Sequence, residues 1–171
     1  GSQKQAPVGI SGLEIASMIG AGLAKAAIAF SVNGEQRDLS DIVNQDSDIS
    51  IFTVDSDEGL EIMRHTVAAQ VLARAIKNLY PSAKLAIGPT IDDGFYYDFL
   101  CDQTVSIDDL PKIEKEMEKI VASKDLIKKT IHSKDDAIKG FADLDESYKV
   151  KIIEDSGQES DFQIYNQGDS G

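Results

Sequence analysis

The stretch "MRHTVAAQVLARAIKNLYP", residues 63–81, carries His65 on a segment whose apolar residues recur at helical spacing. Imidazole ionises near neutrality, which makes histidine the usual side chain for moving protons in hydrolysis. A site built on one helix needs a second ligating or proton-carrying group one turn on, and Ala68 and Ala69 stand there. Steps of about 100° per residue put His65 at the edge of the apolar stripe, beside Leu72 and Ile76. The residues alone leave two readings open: a group facing a cleft, or a partly buried histidine with a single hydrogen bond.

Little else in the 171 residues can do chemistry unaided. The only cysteine, Cys101, excludes an internal disulfide and a multi-cysteine zinc site, and it fits a reducing, cytoplasmic setting. Two histidines, His65 and His132, are too few for a histidine-rich metal site. No phosphate-cradling GxxxxGK[ST] loop occurs. Asp92-Asp93, Asp102 and Asp108-Asp109 lack metal-loop spacing and read as turns and caps. The net charge of −13 argues against broad nucleic-acid binding, which rests on Lys and Arg neutralising phosphates. An RNA partner therefore needs local contacts or another segment. No apolar run reaches the roughly 20 residues of a bilayer span, so no membrane partner is expected. Ile10–Phe30 is interrupted by Glu14 and Lys25, and no basic region followed by an apolar core marks a secretory signal.

The elements that must position these residues fall into two groups. In residues 1–54, "SGLEIASMI" predicts a helix with Ser11 as its N-cap, and Asn33-Gly34 predicts a hairpin within "AAIAFSVNGEQRDL". The alternation in "DISIFTV" predicts a strand. Helix, hairpin and strand suggest a β-grasp module with a mixed sheet, one strand short of completion. "DSDEG", residues 55–59, marks a boundary. Beyond it Leu60, Met63, Val67, Val71, Ala75 and Leu79 predict a helix over 57–79, ended by Pro81. "KLAIGPTIDDGFYYDFL" reads as strand, Gly-Pro turn, Asp-Gly turn and aromatic-rich strand. Ser106 caps a helix with Leu110, Ile113, Met117 and Ile120 as its buried stripe. "DLIKKTIHS" predicts a strand with His132 near its end, and "SKDDAIKGF" a short capped helix. "ESYKVKIIED", read as a strand around Lys149, and "DFQIYNQG" follow. The class is α+β.

The run from "LEIMRH" through "KLAIGP" to "DGFYYDF", followed by "SYKV" and "IYNQGDS", resembles the N-terminal half of threonyl-tRNA synthetases. "AIGP…DGFYYDF" is specific, because it couples a Gly-Pro pair to consecutive aromatics at fixed spacing. The resemblance covers nearly the whole chain. It implies a TGS domain of β-grasp type over residues 1–54. It implies an editing domain over 55–171, incomplete at its C-terminus, with the long helix packed on an antiparallel or mixed sheet. That domain hydrolyses tRNA(Thr) wrongly charged with serine. His65 matches the first histidine of the family's HxxxH motif, Gly88 a pocket-lining glycine, and Tyr97 and Lys149 a tyrosine and a lysine of the editing pocket. A Cys-x-x-x-His stretch belongs beyond Gly171, so the chain is expected to be a piece of a longer protein. The synthetic core that binds ATP, threonine and zinc lies outside it, and no cofactor is expected in these residues. The implied partner is tRNA(Thr). The family's homodimer forms through the absent core, leaving this piece monomeric. The alternative is a non-catalytic tRNA-positioning or regulatory module.

The chemistry accounts for such a set. Serine lacks only a methyl relative to threonine, and a methyl is worth about 1–3 kcal/mol, too little for faithful decoding without a second, hydrolytic site. Ester hydrolysis needs an oriented water, a proton carrier and donors for the developing oxyanion. Lys149 suits the nucleotide or the oxyanion, and Tyr97 suits stacking or hydrogen bonding; each equally fits a structural role, as does Gly88. One departure stands out. Ala69, not histidine, lies four residues beyond His65, and the stretch from His65 to Pro81 is one residue longer than the family pattern. A regular helix turns Gln70 about 140° away from His65. Absorbed as a π-bulge, the extra residue swings Gln70 towards the place of the missing histidine. The bulge costs about one hydrogen bond, of order 1 kcal/mol, whereas a register shift exposes Leu72, Ile76 and Leu79 at about 1.5–3 kcal/mol each. The helix is therefore expected to be irregular at 66–71, with His65 facing a cleft.

Overall fold

The computed structural model describes residues 2–168. Asp169 and Ser170, which end the "IYNQGDS" phrase, lie outside the described residues with Gly1 and Gly171. The chain divides into two compact units, Gly1–His65 and Thr66–Gly171. No helix among the described residues is long and apolar enough to cross a membrane.

The first unit begins with β1 (Ile10–Ser11), α1 (Gly12–Ile19) and α2 (Ala21–Ala26). Ser11 caps α1 in a reciprocal capping box with Glu14. Then come β2 (Ala27–Val32), β3 (Glu35–Arg37), β4 (Ile42–Val43) and β5 (Ile49–Thr53). The three-stranded sheet has the order β3-β2-β5, and β1 pairs β4. Asn33 and Gly34 turn the β2–β3 hairpin with φ of 52° and 85°, the left-handed pair that matches strand twist. The Asn33 side chain also accepts from the Asp48 N–H at 2.9 Å, tying the turn to the approach of β5. Phe30 on β2 is fully buried, and α1 reaches it through Gly12, where a Cβ would lie 2.5 Å from the ring. The β1–β4 pair supplies strands that the sequence pattern did not place. The expected mixed sheet is not found: every described pairing is antiparallel. β2 and β3 are joined by a tight turn, and such short connections reverse direction, whereas parallel neighbours need a long crossover. The unit closes with α3 (Asp57–Thr66), where Gly59 passes so close to the Thr53 carbonyl that a side chain would collide with it.

In the second unit a π-helical turn spans Val67–Leu72 and leads into α4 (Ala73–Leu79). The Ala73 N–H donates to the Ala68 carbonyl, five residues back, which is the hydrogen bond of a π turn. Of the predicted stripe Val71 and Ala75 are buried, joined by Ala68, Ala73 and Ile76; Met63, Val67 and Leu79 are part-buried, and Leu60, in the first turn of α3, is exposed. The helix ends at Leu79, because a residue before proline is disfavoured in the α region and Tyr80 sits at φ −134°, ψ 78°.

Next come β6 (Lys84–Leu85), β7 (Thr90–Ile91), β8 (Gly94–Phe95) and β9 (Phe99–Leu100). They form one interrupted hairpin, with β7 on β8 at the tip and β6 on β9 at the base. Asp92-Asp93 makes the reversal. Gly88-Pro89 is not the tight turn expected but part of one arm, and Tyr96 donates across to the Pro89 carbonyl at 3.3 Å. Proline has no N–H to offer the ladder, so pairing lapses there. A 3-10 turn, Ile107–Asp109, capped by Ser106, starts α5 (Leu110–Ser123). Ile113 and Ile120 are buried and pack on the long helix, but Leu110 is exposed, at the very start of α5. The unit finishes with β10 (Ile127–His132), α6 (Lys134–Asp143), α7 (Ser147–Asp155) and β11 (Phe162–Gln167), β10 pairing only β11. "SYKVKIIED" is thus a helix, not a strand. Val150 N–H bonds the Glu146 carbonyl and Asp145 adopts φ 57°, so the turn into the helix overrides the alternation. Two-stranded ladders replace the single antiparallel or mixed sheet expected here.

Candidate functional site

A cavity of about 530 Å³ lies within the second unit. The π turn and α4 form one side with Ala69, Gln70, Arg74 and Lys77; Tyr97 comes from the long hairpin. α7 and the turn before it supply Glu146 and Lys149, and β10 supplies His132. Gln70 lies within the π turn and faces this cavity. It and Ala69 both line the cavity on the face that continues through Ala73 and Lys77.

Of the residues selected from sequence, Gln70, Tyr97 and Lys149 share this cavity. Gly88 does not line it. Its place is behind Tyr97, where a Cβ would fall 2.2 Å from the ring, so the bare backbone seats the aromatic side chain that does face the cavity. His65 is exposed, in the last turn of α3 at the end of the first unit, and is not among the lining residues.

Electrostatics concentrate on α7. Lys149 is half-buried, its Nζ 5.1 Å from the centre of the Phe141 ring. Burial pulls its pKa below the ordinary lysine value; the Glu146 carboxylate opposes that shift and the Lys77 ammonium adds to it. Glu146 is only 4% exposed and caps α7. Its Oε1 lies 2.8 Å from Lys77 Nζ, while its buried Oε2 has no hydrogen-bond partner among the described residues. Lys77 also donates to the Ala83 carbonyl at 3.1 Å, which fixes the ammonium from a second side. Burial, then the Glu146 charge, push the Tyr97 hydroxyl pKa up, so it stays a neutral donor and acceptor. Arg74 pairs with Asp125 at 2.8 Å, and His132 Nε2 lies 2.8 Å from Thr130 Oγ1.

Sequence reasoning passed over Glu146, Lys77 and His132 as site residues. Glu146 had one signal, a carboxylate three residues ahead of Lys149, and reading the segment as a strand hid it. Chemically the cavity offers a lysine ammonium, a neutral phenol and a carboxamide around one space. That set binds a polar group and stabilises negative charge on oxygen, while Gln70 can orient a water without taking its proton.

Residues 1–53 match the family model of the TGS domain. Over 161 residues, 94% of its length, the chain is 45% identical to a threonine–tRNA ligase of Clostridium novyi, of which it covers 25%. It is 44% identical over 169 residues to the enzyme of Bartonella bacilliformis, covering 99% of this chain and 26% of that protein. It is 46% identical over 159 residues to that of Thiobacillus denitrificans, covering 91% and 24%. The chain therefore matches the N-terminal region of threonine–tRNA ligases and spans about a quarter of the length of these relatives.

Proposed function

We propose that this chain, which opens with a TGS domain and corresponds to a quarter of a threonine–tRNA ligase, receives the acceptor end of tRNA(Thr) and hydrolyses the ester of Ser-tRNA(Thr). The observation that carries this reading is the π turn Val67–Leu72, which brings Gln70 into the cavity that Tyr97 and Lys149 also line. On this reading residues 55–171 form the editing domain. The full ligase works in the cytoplasm as a homodimer, ATP and zinc are held outside these residues, and this chain alone does not aminoacylate.

The residues have separable tasks. The ester carbonyl lies with its oxygen towards Lys149, and water held by Gln70 attacks the carbonyl carbon. The carbonyl π pair moves onto oxygen, where the ammonium stabilises it; such a donor is worth about 10²–10³ in rate. Collapse restores the carbonyl and expels the ribose oxygen, which takes up a proton, leaving serine and uncharged tRNA. Tyr97, neutral, hydrogen-bonds or stacks on the terminal nucleotide. His65, exposed and outside the cavity lining, takes no part in this step, and the water's proton passes to solvent. Gln70 cannot replace a histidine in carrying that proton, which slows the reaction relative to a site that has one.

Ala69 in place of that histidine, together with the position of His65 outside the cavity lining, favours a second reading: a module that holds the tRNA end without hydrolysing it. The test is to incubate the purified chain with Ser-tRNA(Thr) and Thr-tRNA(Thr) and follow ester loss. Selective decay of the serine ester supports hydrolysis. Binding of tRNA without decay supports the second reading, and absence of both overturns the two together.

A further inference from the structure

Among the buried charges of the second unit, Glu146 is singular. It is a carboxylate lining the cavity, more than nine-tenths buried, with one oxygen on Lys77 and the other without a partner among the described residues. A buried charge is retained at a loss of hydration unless something nearby needs it. Lys77 accounts for Oε1 only. The next cation on the same wall is Lys149, three residues on, at the spacing that brings side chains to one helix face.

We propose that Glu146 is a positioning residue for Lys149: its carboxylate, fixed by Lys77 through Oε1, presents Oε2 to keep the Lys149 ammonium charged and aimed into the cavity. The proposal rests on the reading of Lys149 as the group that meets the developing oxyanion.

Among the described residues, the surroundings of Lys149 supply no other counter-ion of equal burial. Arg74 on α4 is neutralised by Asp125. Lys77 on α4 repels Lys149, and Asp136 on α6 is exposed. His132 on β10 is held by Thr130, and Lys84 on β6 pairs with the exposed Asp145. Tyr97 is neutral near physiological pH, because burial raises its pKa. Phe141 offers only its ring face, which attracts a cation but does not replace its water. Without Glu146, burial and Lys77 would both favour the neutral amine, which carries no charge to an oxyanion. Lys77 in turn keeps the carboxylate ionised and fixes its orientation.

The test follows the Lys149 side-chain titration by NMR in the full 171-residue chain with isotope-labelled lysine, its signal assigned by its loss in Lys149→Arg. Glu146→Gln keeps the shape of the side chain and removes its charge; the Lys149 midpoint is expected to fall by about one pH unit. Lys77→Gln keeps a donor for Oε1 and removes the repulsion; there the midpoint is expected to rise. Opposite movements in the two variants are a result that a merely structural glutamate cannot produce. An unchanged midpoint in Glu146→Gln, or movement in the same direction in both, overturns the proposal. Should Glu146→Gln not fold, Glu146→Asp, which keeps the charge and shortens its reach, decides in its place: a lowered Lys149 midpoint supports the proposal and an unchanged one overturns it. The readout needs no tRNA, so its failure is distinct from failure of the deacylation assay.

Discussion

The Tyr97 ring rests against the backbone of Gly88, so closely that a Cβ at Gly88 would lie 2.2 Å from Cδ2 and 2.6 Å from Cε2. Non-bonded carbon atoms do not approach so near, so Gly88→Ala must move the ring. The arm carrying Gly88 is part of the hairpin that packs on the core of Ile76, Leu85 and Ile113, and it has little room to retreat. The expected cost is about 1–3 kcal/mol in urea unfolding, the range for overpacking. The Tyr97 ring resonances should shift while those of the first unit do not. Gly88→Ala with wild-type stability and unmoved Tyr97 signals would show the contact to be soft.

Removing Ala69 tests the π turn. Deletion of one residue between Val67 and Leu72 allows an unbroken α-helix and leaves Ala75, Ile76 and Leu79 in register with the core. Stability should hold or rise by up to about 1 kcal/mol, the net worth of one regained hydrogen bond. Carbon chemical shifts should turn regular through the segment. A loss of several kcal/mol would mean that the turn is needed for packing.

Lys149→Met separates stability from chemistry. The buried ammonium is disfavoured in the folded protein, so its folded pKa lies below the unfolded value. Between those two values the unfolded chain binds more protons, and stability rises with pH. Methionine removes that dependence. The variant should unfold at equal or higher urea concentration near neutral pH, with a flatter alkaline profile, while hydrolysis of Ser-tRNA(Thr) falls about 100-fold or more. Unchanged hydrolysis would remove Lys149 from the reaction.

Gln70→His places an imidazole where the π turn presents a side chain to the cavity. Its lone pair can accept a proton near pH 6.5. Hydrolysis of Ser-tRNA(Thr) should speed up and acquire a pH dependence with a midpoint near that of the new group. Ester decay indistinguishable from that of the wild type across pH 5.5–8 would count against Gln70 lying near the scissile bond.

On the acid side, hydrogen bonding by Arg74 holds the Asp125 carboxyl below its usual range, and the Ser106 backbone N–H does the same for Asp109. Both contribute stability that is present above the ordinary carboxylate range and lost as pH falls through their lowered values. Urea midpoints from pH 7 to pH 3 should decline over that window, and Asp125→Asn should flatten the decline.

Helices with caps and strong periodicity were legible in the sequence. Ser11 and Ser106 start helical segments as their side chains dictate, and Pro81 stops one. The irregular turn was legible too, because a single extra residue between fixed landmarks has only two outlets and one of them exposes Leu72 and Ile76. The β1–β4 pair was not, since two-residue strands carry no period. α7 was not recognised as a helix, because Tyr148, Val150 and Ile152 alternate with polar residues and the packing of α7 against α6 and β6 is a tertiary fact. Lys149 was named only through family resemblance. Glu146 was missed because burial of a carboxylate is a tertiary fact: nothing in "DESYKV" says which acid faces inward.

β10 and β11 form one wall of the cavity and, among the described residues, pair in a ladder only with each other, while residues 133–161 with both α6 and α7 lie between them in the chain. Closing so long an excursion costs chain entropy before any ladder bond is made, whereas the neighbouring helices assemble from local contacts. The expectation is that the cavity is completed late in folding, with the helical side formed first and the ladder closing against it. In hydrogen-exchange labelling during refolding, the amides of 127–132 and 162–167 should gain protection after those of 73–79 and 110–123, so the pocket exists only once the last step of assembly is done.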